Sequence, residues 1–502
     1  MATTEPANLY DLLVIGGGIN GAGIARDAAG RGLRVCLVEQ DDLAAHTSSA
    51  STKLIHGGLR YLEQGELRLV RESLAERERL LSIAPHIIKP LRFVLPYVDG
   101  LRPRWLLRLG LFVYDHAGGR ERLAESSSTR LHGNPLGEPL RPEITDGFEY
   151  SDCWVEDSRL VVLNALDAAE RGAIILTRTR VVQATPANAM WTVRCEQQGK
   201  PITLHARALV NATGAWVNDM LGLLDVQARQ RLRLVKGSHL VLRRQYAGEH
   251  AYLLQSPDRR VIFAIPFETD YTLLGTTDVP FDGDPAVVRI DGNERDYLLA
   301  CANRFFRRLI TPAEIVTTYS GVRPLFDDGE QHTAQRVSRD YHLELQQARG
   351  GAPVLTVYGG KITTYRRLAE AALALLKKNL GNVEGDWTAQ EALPGGDFPD
   401  GDLDRFTAHA LQRWPALPAR MVQRLARLYG TRMAQILGAA DQLKELGPFE
   451  GIELTLAEVR YLVEKEWARS AEDILWRRTR LGLSAPASAV DQLQDAVTQL
   501  LG

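Results

Sequence analysis

The chain has 502 residues, 45% hydrophobic and 24% charged, which gives the length for two to four domains and the composition of an ordinary globular protein. Its formal net charge of −2 creates no global field to gather nucleic acid, so any anion must be met by a local site. The four cysteines, Cys36, Cys153, Cys195 and Cys301, lie far apart with no C-x-x-C pair, which argues against a disulfide framework or a zinc site and for a reducing compartment.

In chain order, the N-terminal stretch lacks a charged region before an apolar core, so no secretory signal is expected. No apolar run approaches the roughly 18–20 residues that span a bilayer, so the expectation is a cytosolic or membrane-surface protein. Leu12 to Ile15 read as a short buried strand, followed at once by Gly16-x-Gly18-x-x-Gly21. In that motif Gly16 permits a tight turn, Gly18 lets backbone approach a pyrophosphate, and Gly21 lets helix and strand pack closely. The helix N-terminus offers free N–H groups and the positive end of a dipole. Small Ala25 and Ala29 suit a sheet-facing side, and Gly32 closes the helix. A second strand, Arg34 to Val38, ends in Glu39, placed to accept hydrogen bonds from an adenosine ribose. Together these predict dinucleotide binding without separating NAD from FAD.

Three later features favour FAD. The polar, hydroxyl-rich segment after Glu39, with Thr47, Ser48 and Lys53, suits a loop laid along a long cofactor. "ARALVNATGAW" (206–216) reads as a strand ending in a small-residue turn, Ala212-Thr213-Gly214. "VLTVYGGKITTYRRLAEAALALLKK" (354–378) reads as a strand, a turn at Gly359–Gly360, and an amphipathic helix from about Ile362 and Thr363, whose positive end would face a reduced flavin.

An anionic ligand needs cations in fixed geometry. Arg60 in "HGGLRYL", Arg323 in "SGVRPL" and Lys361 in "GGKITTY" each sit beside glycine or proline, either as site residues or as surface ones. His56 is the candidate base, since imidazole titrates near neutrality, with a neutral structural role as the alternative. Arg323, always protonated, is the electrostatic helper. Thr277 and Asp278 in "GTTD" form either pocket wall or a plain strand-end turn, and His239 in "KGSHLV" reads as a satisfied structural histidine or a cavity residue.

The motifs "GGGINGAGIARDAAGRG", "SSASTKLIHGGLRYL", "YSDCWVEDSRLV", "LVNATGAWV", "KGSHLV", "LGTTDVPFDGD", "YSGVRPL", "YGGKITTYRRLAE" and "DILWRRTRLGL" run in the same order as in FAD-dependent glycerol-3-phosphate dehydrogenases. The chain resembles that family, most closely its aerobic, respiratory bacterial members, over nearly its whole length. The resemblance implies an α/β FAD-binding Rossmann-like domain, a mixed-sheet α+β substrate domain of the D-amino-acid oxidase-like kind, and a C-terminal all-α domain. It places a FAD-binding domain at 1–90, 150–220 and 350–380, and a substrate domain at 91–149 and 221–349. A linker follows at 381–392 and 393–404, then a helical domain at 405–502. It also implies backbone near adenine around Val181, and Arg60, Tyr61, Arg323 and Lys361 around sn-glycerol 3-phosphate beside the flavin. Hydride would leave C2 for flavin N5, yielding dihydroxyacetone phosphate.

The expected acceptor is ubiquinone, at the cytoplasmic face of the inner membrane, with peripheral attachment and a possible homodimer. An oxidase passing electrons to O2 and a flavin-bound interaction protein are the alternatives. "LRPRWLLRLGLFVYDHAGG" (101–119), with Trp105, Leu109 and Phe112 beside Arg102, Arg104 and Arg108, reads as an interfacial helix or as a core helix with snorkelling arginines.

Overall fold

The computed structural model describes residues 8–99, 102–119, 121–327, 340–381 and 384–502, with the side chains of Arg60, Glu63, Gln64 and Asp327 left undescribed. Two sheets carry the fold. The first is built on parallel strands in the order 353–359, 200–211, 9–15, 35–38 and 174–176, with 341–347 antiparallel at one edge. The hairpin of Thr179–Ala187 and Met190–Gln197 extends from the strand Lys200–Asn211. The strands at its centre are buried on both faces, which is why Leu12–Ile15 and Val35–Val38 read as continuous apolar runs.

Helices Ile19–Gly30, Asp157–Glu170 and Tyr365–Leu380 pack against one another over this sheet. Ala22, Ala25, Ala28 and Ala29 are buried there, and the small side chains let the helices approach. Helix Tyr365–Leu380 begins three residues later than expected, because residues 361–364 close a turn in which the Thr364 N–H donates to the Lys361 carbonyl at 3.1 Å.

The second sheet is mixed and larger. It runs 279–280, 231–243, 271–275, 261–267, 251–255, 88–96, 146–155 and 54–55, with 315–327 and 127–130 pairing onto it. The boundaries expected at 90/91 and 149/150 both fall inside strands, Ile88–Pro96 and Asp146–Val155, which pair with each other in this sheet.

Helices Leu403–Arg413, Ala419–Tyr429, Met433–Leu437, Leu456–Lys465 and Ala487–Leu501 gather around a separate core of Val422, Leu425, Val459, Leu462 and Ile474. Residues 473–478, within this region, form a π-helical turn. The Gly/Pro/Asp-rich stretch at 393–404 is packed rather than loose. Leu393 is fully buried in the core beneath the first sheet's helices, and Phe398 is stacked on Phe406.

Candidate active site

A cavity of about 690 Å³ lies between the two sheets, at the carboxyl ends of the first sheet's central strands. That is where open α/β sheets bind ligands, and the volume is within the usual range for such sites.

Its first wall is mostly backbone. Gly16 turns at φ +112°, and a Cβ there would lie 2.5 Å from the Ala212 carbonyl oxygen. Gly21 lies away from the cavity and allows packing instead: its Cβ would meet the Gly16 carbonyl oxygen at 1.9 Å. Gly18 caps the helix Ile19–Gly30, and the Ile19 N–H donates to Ser48 Oγ at 3.0 Å. The Glu39 carboxylate accepts from the Gly17 N–H at 2.6 Å and the Asp41 N–H at 2.8 Å. Burial pulls the Glu39 pKa upward, opposed by those two backbone donors. Val181, Ala212 and Gly214 close this wall, and Thr47 spends its hydroxyl on the Val322 carbonyl at 2.7 Å. That bond ties the loop to the strand that carries Arg323.

The second wall is made of side chains. The Arg323 guanidinium donates to Thr276 Oγ1 at 2.8 Å and the Thr277 carbonyl at 3.3 Å, and pairs with Asp278. Lys361 Nζ stands 3.8 Å from the centre of the Tyr61 ring, a cation–π contact. His56 lines the cavity with its ring edge-on to Phe263, at a centroid distance of 6.3 Å. Thr363 fixes the two segments together: its hydroxyl lies 3.3 Å from the His56 N–H and 3.4 Å from the His56 carbonyl. The His56-Gly57-Gly58 turn is held from behind by Tyr114, whose hydroxyl accepts from the Gly57 N–H at 2.8 Å and donates to Asp152. Gly360 and Ile362 complete this side.

Three expectations are corrected or bounded. Lys53 does not face the cavity. It is buried, and its ammonium donates to both Asp157 oxygens, at 2.8 and 2.9 Å, and to the Ser49 carbonyl. Thr277 likewise points away, its hydroxyl donating to Glu294 Oε1 at 2.6 Å, while its neighbour Thr276 lines the cavity. The Arg60 side chain lies outside the described residues.

His239 is a buried structural histidine. It stacks on Tyr319 at 4.8 Å, and its Nε2 lies 3.0 Å from Thr52 Oγ1. Burial, then Arg323 and Lys53, hold its pKa well below 6.5.

Sequence reasoning missed Asn20, whose carboxamide lines the cavity and donates to the Gly359 carbonyl at 3.2 Å, while its Oδ1 is buried with no hydrogen-bond partner among the described residues. It also missed His46 and Trp216, which meet edge-to-face at 4.7 Å on the first wall. Asn20 stands inside the glycine motif, the one signal that could have drawn attention to it.

A glycine turn at a helix N-terminus, a buried carboxylate on the next strand and an acceptor oxygen left unpartnered in the wall fit a dinucleotide cofactor. Fold and cavity together define a flavoprotein oxidoreductase. The family described as FAD dependent oxidoreductase matches residues 11–366, and the C-terminal domain of alpha-glycerophosphate oxidase matches 387–502. The chain is 50% identical over 473 residues to D-erythritol 1-phosphate dehydrogenase of Brucella abortus, covering 94% of each. It is also 50% identical over 479 residues to glycerol-3-phosphate dehydrogenase of Pseudomonas aeruginosa, covering 95% of this chain and 93% of that one. The solved glycerol-3-phosphate dehydrogenase of Bacillus halodurans, complexed with FAD, superposes with a TM-score of 0.74 at 30% identity, over 98% of this chain and 90% of that one. The chain therefore belongs to the family of FAD-dependent glycerol-3-phosphate dehydrogenases, and its cofactor is FAD.

Proposed function

We propose that the protein oxidises sn-glycerol 3-phosphate at C2 to dihydroxyacetone phosphate and passes the electrons to a membrane quinone. The observation that carries this reading is the convergence of Arg323, Lys361, Tyr61 and His56, from three separate segments, on the cavity that fits the cofactor. When bound, FAD would supply the two-electron oxidant for the alcohol. Gly16, Gly18, Glu39, Asn20, Ser48, Val181 and Ala212 would hold it.

Lys361 serves the phosphate as a point charge, with Arg60 its expected partner. Thr276 and Asp278 hold the Arg323 fork, which meets the C2 oxygen and stabilises the charge that develops there. His56 takes the proton from that oxygen as general base. Water is kept out by the apolar residues Leu107, Leu253 and Phe263.

The helix Arg104–Ala117 supports the membrane part of the reading. Leu107, Leu111 and Tyr114 bury one face, while Trp105 (68% exposed), Leu109 and Phe112 stand outward beside exposed Arg104 and Arg108. Leu106, Leu109 and Val113 of the same helix line the cavity, so a lipid-bound acceptor would arrive beside the flavin. Among the described residues no helix is long and apolar enough to cross a membrane.

A second reading, oxidation of D-erythritol 1-phosphate, is favoured by the equally similar Brucella relative. Steady-state turnover on both phosphates, with a soluble quinone or O2 as acceptor, decides. Glycerol 3-phosphate with quinone is expected to give the highest kcat/KM. Preference for the four-carbon phosphate would replace the substrate, and equal turnover with O2 would replace the acceptor.

A further inference from the structure

One short stretch of the C-terminal helical region reaches into the cavity-lining segments from behind. Arg478 grips the Asp42 carboxylate with both guanidinium nitrogens at 2.8 Å, and Arg477 Nε adds a third bond at 2.7 Å. Asp42 lies between Glu39 and the loop at 44–48, whose residues face the cavity. Two residues on, Arg480 donates to Asp157 at 2.7 Å and pairs with Glu156 at 2.9 Å. Asp157 in turn holds Ser51 Oγ at 2.7 Å and Lys53 Nζ at 2.8 Å, the far end of the same loop. Asp473 receives Arg178 at 2.8 Å, and the next residues, Thr179 to Val181, line the cavity.

Asp42, Asp157, Asp473, Arg478 and Arg480 are all buried, so the pairs Arg478–Asp42 and Arg480–Asp157 are screened little by water and costly to break, while Arg178, partner of Asp473, is partly exposed. The helical region is docked elsewhere too, through Arg159 with Glu466 and Arg432 with Glu170, but the anchors at Asp473, Arg478 and Arg480 all meet residues within a few positions of the cofactor wall. The π-helical turn at 473–478, a form that recurs at functional sites, presents two of the three anchors from one turn of chain.

We propose that the C-terminal helical region is a clamp on the cofactor-facing loops, with Asp473, Arg478 and Arg480 as positioning residues for flavin retention. The clamp rests on FAD binding and not on the substrate reading, so failure of either leaves the other standing.

Equilibrium FAD release from the holoenzyme, followed by recovery of free-flavin fluorescence, tests it in Asp42→Asn, Arg478→Lys and the double variant. Arg424→Lys is the control, because Arg424 makes an equally buried bidentate pair with Glu458 wholly inside the helical region. Each clamp variant is expected to raise the FAD dissociation constant roughly tenfold or more, the double no further than the worse single, and Arg424→Lys not at all. An unchanged constant for Arg478→Lys, or an equal rise for Arg424→Lys, overturns the clamp, since the latter means general loss of fold. Should Arg478→Lys fail to fold, Arg480→Lys and Arg178→Lys carry the same expectation and the same refutation.

Discussion

The two walls of the cavity are built in opposite ways. The cofactor wall is local: strand, glycine turn, helix and second strand lie within residues 9–39, and their backbone forms the surface. The side-chain wall is assembled from afar: Tyr61, His56, Thr276, Arg323 and Lys361 come from four segments, joined by the second sheet and by bonds such as Thr363 to His56. A backbone wall tolerates no added atoms but needs few particular side chains. A side-chain wall can keep its shape and lose its chemistry with a single truncation.

The largest effect should separate the walls most cleanly. Arg323→Met is expected to leave FAD loading intact and lower kcat/KM by about 1,000-fold, roughly 4 kcal/mol of lost stabilisation, measured by steady-state turnover on flavin-saturated protein. Gly16→Ala should do the reverse. Its new Cβ must displace the Ala212 carbonyl at a positive φ, so flavin affinity is expected to fall about 100-fold, read by titrating apoprotein with FAD. If Arg323→Met releases flavin, or Gly16→Ala retains it, the division between the walls fails.

The smallest effect concerns the two histidines. Folded His239 stays neutral because its pKa is held well below 6.5, whereas the unfolded chain protonates that residue as pH falls through 6.5. Unfolded protein then binds the extra proton, so stability is present above 6.5 and lost below it, by up to about 1.4 kcal/mol per pH unit. Denaturant unfolding on either side of 6.5 should show a shallower loss in His239→Gln than in the native protein, with the pH profile of kcat unchanged. His56→Gln should alter that kcat profile instead.

The same contrast explains what the sequence disclosed. Gly16, Gly18 and Glu39 were legible as cavity wall because one local motif folds them together, and Ala212 because its small-residue turn ends a strand. Arg323 and Lys361 were legible only as cations beside turns, and their pairing with one pocket came from the family resemblance. Thr277 was misplaced because the short link between the strands Tyr271–Gly275 and Val279–Pro280 turns neighbouring threonines to different partners, Thr277 to Glu294 and Thr276 to Arg323 at the cavity. Lys53 looked like a cofactor residue in a polar loop, and nothing nearby in sequence announces its partner, Asp157, 104 residues on. The positions 90 and 150 fall inside the strands Ile88–Pro96 and Asp146–Val155, whose pairing depends on residues far apart in sequence.

The central claim is that one cavity holds FAD beside a phosphate-bearing alcohol, with Arg323 as the group that makes oxidation possible. Anaerobic mixing of flavin-loaded protein with sn-glycerol 3-phosphate, followed by the flavin's visible absorbance, tests it most directly. The account predicts rapid bleaching in the native protein and bleaching about 1,000-fold slower in Arg323→Met at equal flavin content. Unbleached flavin in the native protein, or bleaching of equal speed in both, would contradict it.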